Sequence, residues 1–321
     1  MKGNPPILVW HAQAREYAGA LRARLPDVRI DVLEAADHDS GRAAAGPLAA
    51  GDAEVLLAWK VPEGDLAGLP RLRWVQVSGA GVDHFLGRPD LGTEVLLTRS
   101  LGRFGVQVAE YVAGYLLHHL LGIERYREQQ RQRLWQRGER PLLADRTVGV
   151  IGLGSLGLPV ARLLGALGAR VLGVRRSGEA IGGIEDVFSS KSWRALLPRC
   201  DALVIAAPRT AETLGMIDAD ALAALPRGAV LINVARGELV DESALLRALE
   251  SGHLGAAVLD VFTVEPLPTN HPLWSQPAAR ITPHIAAPSE VEVIADEFAE
   301  NYRRFVGGRR LLNVVDRARG Y

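Results

Sequence analysis

The chain has 321 residues, 48% of them apolar, which suffices for about two domains with a core each and excludes a single small one. Its 37 Lys and Arg balance its 37 Asp and Glu, so no net charge draws it toward nucleic acid or an anionic membrane. Cys200 stands alone, which excludes an internal disulfide framework and a cysteine-rich zinc site and fits a reducing compartment.

The opening stretch does not read as a signal peptide, because the apolar run Ile7 to Trp10 is too short. Short strand-like runs then alternate with helical or polar stretches: Ile7 to Trp10, Ile30 to Leu33, Val55 to Ala58, Trp74 to Val77 and Val95 to Thr98. That alternation is how a parallel sheet with crossover helices reads in one dimension. The Ala/Gly-rich patch Gly41 to Gly51 is expected to be a loop or weak helix. From Arg103 to about Arg131 the chain lacks proline and carries Val108, Val112, Tyr115, Leu116 and Leu120 at helical spacing, which predicts one long helix. Its most apolar part, Tyr111 to Ile123, falls short of the ~20 residues of a membrane span, so a soluble, cytoplasmic protein is expected. A second series follows at Thr147 to Gly152, Arg170 to Val174, Ala202 to Ala206, Ala229 to Asn233, Ala256 to Leu259 and Arg280 to Thr282, then a last helix from Pro288 to about Val306.

The buried-strand pattern Thr147 to Ile151 runs straight into Gly152-Leu-Gly154-Ser-Leu-Gly157 and a helical stretch, Leu158 to Leu167. G-x-G-x-x-G alone is a weak signal; a strand before it and a helix after it make it a dinucleotide loop. Gly152 permits the tight turn, Gly154 lets the backbone approach a pyrophosphate, and Gly157 allows close packing of helix on strand. The helix N-terminus offers unpaired N–H groups to the phosphates, so Ser155 and Leu156 join the glycines as cofactor contacts. The next strand ends in Arg175-Arg176-Ser177, where an NAD site usually places a carboxylate for the ribose hydroxyls. Two guanidinium groups and a hydroxyl favour the 2′-phosphate of NADP, with NAD still possible; the plain alternative is a solvated turn.

Three polar residues follow strands of the second series in order: Arg236, Glu265 and His284. Singly, each has an ordinary reading as a cap, a loop charge or a turn residue. Behind a dinucleotide loop they suit carbonyl reduction: a guanidinium clamps a carboxylate and polarises the neighbouring carbonyl, an imidazole donates the proton, and a carboxylate orients the imidazole. In the first series, Val77-Ser78-Gly79-Ala80-Gly81 reads as either a simple turn or a backbone nest for a carboxylate. Adjacent His118 and His119 make a poor metal pair, and no metal-ligand spacing occurs elsewhere, so no metal is expected.

These segments, with Pro208 to Thr213 and the closing Val315 to Tyr321, make the sequence resemble the D-isomer-specific 2-hydroxyacid dehydrogenase family along nearly its whole length, and its glyoxylate/hydroxypyruvate reductase branch in particular. The resemblance implies two Rossmann/flavodoxin-like α/β lobes with doubly wound parallel sheets: a substrate lobe, 1–102 plus 287–321, with a cofactor lobe, 103–286, inserted into it. It implies Arg236, Glu265 and His284 as the catalytic trio, with Arg236 and His284 also on the substrate. Pro208, Thr213, Val234, Ala235, Asp260 and Ala286 become cofactor contacts, and Ser78, Gly79, Ala80 and Gly81 contacts to the substrate acid group. Trp135 falls in a segment such proteins use as a dimer arm, although a core position is equally open. Arg175 departs from the Asp that many members carry there. The expected function is NADPH-preferring reduction of the C2 carbonyl of a small 2-oxo acid, such as glyoxylate or hydroxypyruvate, to a D-2-hydroxy acid, by a homodimer. Two alternatives are a dehydrogenase for a bulkier D-2-hydroxy acid and a nucleotide-sensing, corepressor-like binding protein.

Overall fold

Strand β1, Ile7–His11, is buried along its whole length and pairs in parallel with β2, Ile30–Glu34, on one side and β3, Val55–Ala58, on the other. Helix α1, Ala14–Arg24, makes the crossover between the first two strands. With β4, Trp74–Val77, and β5, Leu96–Arg99, the order is β2-β1-β3-β4-β5, all parallel, as in flavodoxin-like sheets. The last helix of the chain, Val291–Val306, packs Phe298 onto Trp74 with ring centroids 4.9 Å apart. This computed structural model describes residues 4–36, 42 and 51–321. All of the Ala/Gly-rich patch except residues 42 and 51 lies outside them. Met1–Arg103 and Ser289–Tyr321 form one compact unit, and Phe104–Pro288 the other.

The second unit opens with α2, Phe104–Leu120, and α3, Ile123–Arg131. The single long helix expected here is broken: Gly122 takes φ +64°, a left-handed conformation that separates α2 from α3. Strand β6, Thr147–Ile151, then feeds α4, Gly157–Ala166, and β7, Arg170–Val174. After β8, Asp186–Phe188, and β9, Ala202–Ile205, come α5, Ala219–Ala224, β10, Ala229–Asn233, α6, Glu242–Glu250, β11, Leu254–Leu259, and β12, Ala279–Ile281. The parallel order β12-β11-β10-β9-β6-β7-β8 reverses between β6 and β9, the switch point where doubly wound sheets open a ligand crevice beyond their strand C-termini. Apolar side chains cover both faces, Leu203, Leu231 and Leu259 on one and Val150, Val204 and Ile232 on the other, which is why these strands read as continuous apolar runs. No described helix is long and apolar enough to cross a membrane.

Candidate active site

The glycine turn sits at the C-terminal end of β6. Gly152 has φ +98°, and a Cβ there would lie 2.7 Å from the Ala207 backbone, so glycine is required twice over. A Cβ on Gly157 would strike the Gly152 carbonyl, whereas one on Gly154 would meet nothing within 4 Å. Gly154 therefore leaves a cradle in front of the N-terminus of α4, and this geometry fits a pyrophosphate. The start of α2 backs the turn, since a Cβ on Gly105 would fall 2.6 Å from the Ser155 carbonyl oxygen.

Beyond β7, Arg175 pairs with Glu179 at 3.3 Å and Arg176 with Glu212 at 3.4 Å, all four side chains at least a third exposed, and Ser177 bridges to Ser189. The Thr213 hydroxyl donates to the Pro208 carbonyl at 2.7 Å and accepts from the Thr210 amide at 2.8 Å, closing the 208–213 loop on itself.

Arg236, Glu265 and His284 each follow the C-terminal end of a neighbouring strand: β10, β11 and β12. Buried Asn233 folds the first of these loops, donating to the Arg236 carbonyl at 2.9 Å and accepting from the Ala235 amide at 3.1 Å. Val234 and Ala235 are buried, and Arg236 is half-buried. Gly237 has no room for a side chain, because a Cβ would collide with the Phe262 and Thr263 backbone. That close approach seats the Arg236 turn against the loop bearing Glu265. Glu265 is anchored by its own loop, Oε1 accepting from the Phe262 amide at 2.9 Å, and Oε2 lies 2.9 Å from His284 Nδ1. An ionised carboxylate only accepts, so Nδ1 carries the proton and Nε2 is the remaining ring nitrogen.

His284 itself is left-handed, φ +54°, and its amide donates to the Asp260 carbonyl at 2.9 Å. The Asp260 side chain is 1% exposed and takes the Thr282 hydroxyl at 2.6 Å and the Ile285 and Ala286 amides at 2.8 Å each. Asp260 and Ala286, expected as cofactor contacts, are thus hydrogen-bonded to each other, the Asp260 carboxylate bracing the turn that presents His284. Sequence reasoning missed Gly237, Thr282 and Tyr111 here. Only a glycine directly after Arg236 hinted at the close approach, and nothing signalled the other two.

In the first unit, Ser78 is fully buried and its amide donates to the Ala58 carbonyl at 2.9 Å. Gly79 is needed because a Cβ would enter the Trp59 ring; neither Gly79 nor Gly81 is left-handed. Ala80 offers its carbonyl to Arg99 Nη1 at 3.3 Å. Trp135, for which a core position was open, is 99% exposed. No cluster of three or more metal-ligating side chains occurs among the described residues.

A glycine turn at the switch point of a doubly wound parallel sheet defines the class, a dinucleotide-binding α/β enzyme. The family model for the D-isomer specific 2-hydroxyacid dehydrogenase NAD-binding domain matches residues 113–286. The chain belongs to the D-isomer-specific 2-hydroxyacid dehydrogenase family. It is 35% identical to glyoxylate/hydroxypyruvate reductase A of Salmonella typhi, over 98% of this chain and 99% of that protein. Among solved structures it is similar to a family member from Xanthobacter autotrophicus Py2 in complex with NADPH and MES, with TM-score 0.89, 36% identity, and 99% of this chain and 100% of that one covered. It is also similar to an NADPH-dependent glyoxylate/hydroxypyruvate reductase from Sinorhizobium meliloti in complex with NADP and sulfate, with TM-score 0.88, 33% identity, and 99% and 100% covered.

Proposed function

We propose that this protein is an NADPH-preferring reductase that transfers hydride to the C2 carbonyl of a small 2-oxo acid, glyoxylate or hydroxypyruvate, and releases the D-2-hydroxy acid. The observation that carries the reading is the His284–Glu265 pair, 2.9 Å apart, at the strand ends of the unit that bears the glycine turn. Relatives in the same family are named glyoxylate/hydroxypyruvate reductases, and two similar structures hold NADP or NADPH.

The nicotinamide, when bound, supplies the hydride. This chain's residues do the rest. The Gly152–Gly157 turn and the α4 N-terminus hold the pyrophosphate, while Arg175, Arg176 and Ser177 take the 2′-phosphate. Pro208, Thr213, Val234, Ala235, Asp260 and Ala286 belong to the walls of the cofactor site, with NAD as a poorer occupant. Arg236 clamps the substrate carboxylate and polarises the carbonyl beside it. His284 gives its Nε2 proton to the carbonyl oxygen as that oxygen gains charge, and Glu265 holds the ring in place by accepting from Nδ1. Ser78, Gly79, Ala80 and Gly81 are proposed separately as contacts to a substrate acid group.

A homodimer is part of the same proposal. A tryptophan as exposed as Trp135, flanked by Leu134 at 50%, is surface that a second copy would cover. A cytoplasmic setting suits a protein whose cysteine, Cys200, is a free buried thiol. The direct test is loss of NADPH absorbance when the protein meets glyoxylate or hydroxypyruvate. Silence across a panel of 2-oxo acids with both NADPH and NADH would overturn the reading.

A further inference from the structure

Tyr111, on α2, reaches the turn that carries His284. Its phenol oxygen lies 2.6 Å from Thr282 Oγ1, which in turn lies 2.6 Å from Asp260 Oδ1. The direction of these bonds follows from counting protons. Asp260 already receives two backbone N–H groups, from Ile285 and Ala286, as an acceptor. The single hydroxyl hydrogen of Thr282 therefore points at Asp260, and Tyr111 must donate to Thr282. Burial, together with the nearby Asp260 charge, pushes the Tyr111 phenol well above its ordinary range, so it remains a donor.

Glu265 is fixed by the Phe262 amide in its own loop, so the position of the imidazole depends on the other side, the 282–286 turn. That turn holds a non-glycine residue at φ +54°, a conformation that L side chains rarely adopt and that persists only where neighbours over-determine it. The buried Asp260 carboxylate and the hydroxyls lined up behind it are those neighbours.

We propose that Tyr111 is a positioning residue for the proton donor: acting through Thr282 and Asp260, its hydroxyl locks the turn that holds His284 against Glu265. The catalytic consequence rests on the reading of His284 given above, whereas the mechanical consequence does not. A purely packing role would reside in the ring, which touches Tyr115 at a centroid distance of 4.6 Å and which phenylalanine would keep.

The test uses the full-length protein with Tyr111→Phe, Thr282→Val, Thr282→Ser and the Tyr111→Phe/Thr282→Val double variant. Hydrogen exchange of the segment spanning 282–287 is followed beside thermal unfolding and steady-state kinetics with glyoxylate. In Tyr111→Phe the Ile285 and Ala286 amides are expected to exchange about fivefold faster or more, with the rest of the unit unchanged. Turnover is expected to fall about five- to twentyfold, a larger effect than that on the KM for NADPH, since sub-ångström misplacement of an acid costs mainly rate. Thr282→Ser keeps the hydroxyl and should match the native protein, while the double variant should be no worse than Thr282→Val alone, because the two groups act in series. Unchanged exchange at 285 and 286, acceleration spread through the whole unit, or additive losses would each overturn the proposal. If the native protein reduces no 2-oxo acid yet Tyr111→Phe still loosens the turn, the positioning role stands and the functional reading falls.

Discussion

His284 Nδ1 lies 2.9 Å from Glu265 Oε2, and the other oxygen of the same carboxylate is held at 2.9 Å by the Phe262 amide. The carboxylate is therefore fixed before the imidazole meets it, and the imidazole is presented with a defined tautomer. His284→Gln removes the proposed proton donor and is expected to lower turnover by about 10²- to 10⁴-fold, the usual worth of a positioned acid, with NADPH affinity nearly unchanged. Glu265→Gln leaves the ring in place but removes its charge partner, so a smaller loss is expected, about 10- to 100-fold. Turnover and NADPH binding measured separately decide the matter. Near-native turnover in His284→Gln would mean that another group supplies the proton.

Much of this arrangement could be read from residue order. The strand-like runs fall within a residue or two of observed strands, and the central strands of the second unit read as apolar throughout because both of their faces are buried. The glycine turn was legible because each of its three glycines answers a different local need. Other features depend on contacts that no local pattern records. The stretch carries no proline from Arg103 to about Arg131, so nothing local separated α2 from α3, and the break shows in the backbone angle at Gly122. Strand β8 is three residues long at the sheet edge and follows Gly182 and Gly183, too little pattern to detect. The Tyr111–Thr282 bond joins residues 171 apart in sequence, and a tyrosine among helical apolar residues reads as core.

The first unit contains an ion pair with a pH signature. Arg88 and Asp90 meet at 2.6 Å with side chains only 8% and 6% exposed. Arg88 also donates to the carbonyls of Val61 and Pro62, and Asp90 accepts from the Gly64 and Leu66 amides at 2.8 and 3.1 Å. Together they pin the loop after β3. The Arg88 guanidinium, helped by those two amides, holds the Asp90 carboxyl below its ordinary range. A folded-state value below the unfolded one gives stability that is full above the unfolded value and is lost as pH falls through the folded one. Asp90→Asn strands a buried guanidinium and is expected to cost about 3–5 kcal/mol at neutral pH. Its unfolding temperature should also fall less steeply on acidification below about pH 4, since the titrating group is gone. Thermal unfolding of both proteins across that acid range is the check, and parallel slopes would remove Asp90 from the account.

In the proposed reading, cofactor choice turns on the residues that follow β7. The Arg175 backbone is fixed, its amide donating to the Phe188 carbonyl at 3.1 Å, while its guanidinium forms a 3.3 Å ion pair with the exposed Glu179. Exposed pairs of this kind contribute little, so exchanging Glu179 for a nucleotide phosphate is inexpensive and gains charge-assisted hydrogen bonds worth about 1.5–3 kcal/mol. Arg175→Asp withdraws those bonds and places a carboxylate where a 2′-phosphate would sit, while offering an acceptor to the free ribose hydroxyl of NADH. The ratio of kcat/KM for NADPH over NADH is expected to fall about 10- to 100-fold, mostly through KM, because the adenosine end binds alike in ground and transition states. Arg175→Ala, which removes the attraction without adding repulsion, should fall between. If both variants keep the native ratio, the phosphate is recognised elsewhere, and Arg176 with Ser177 becomes the pair to change next.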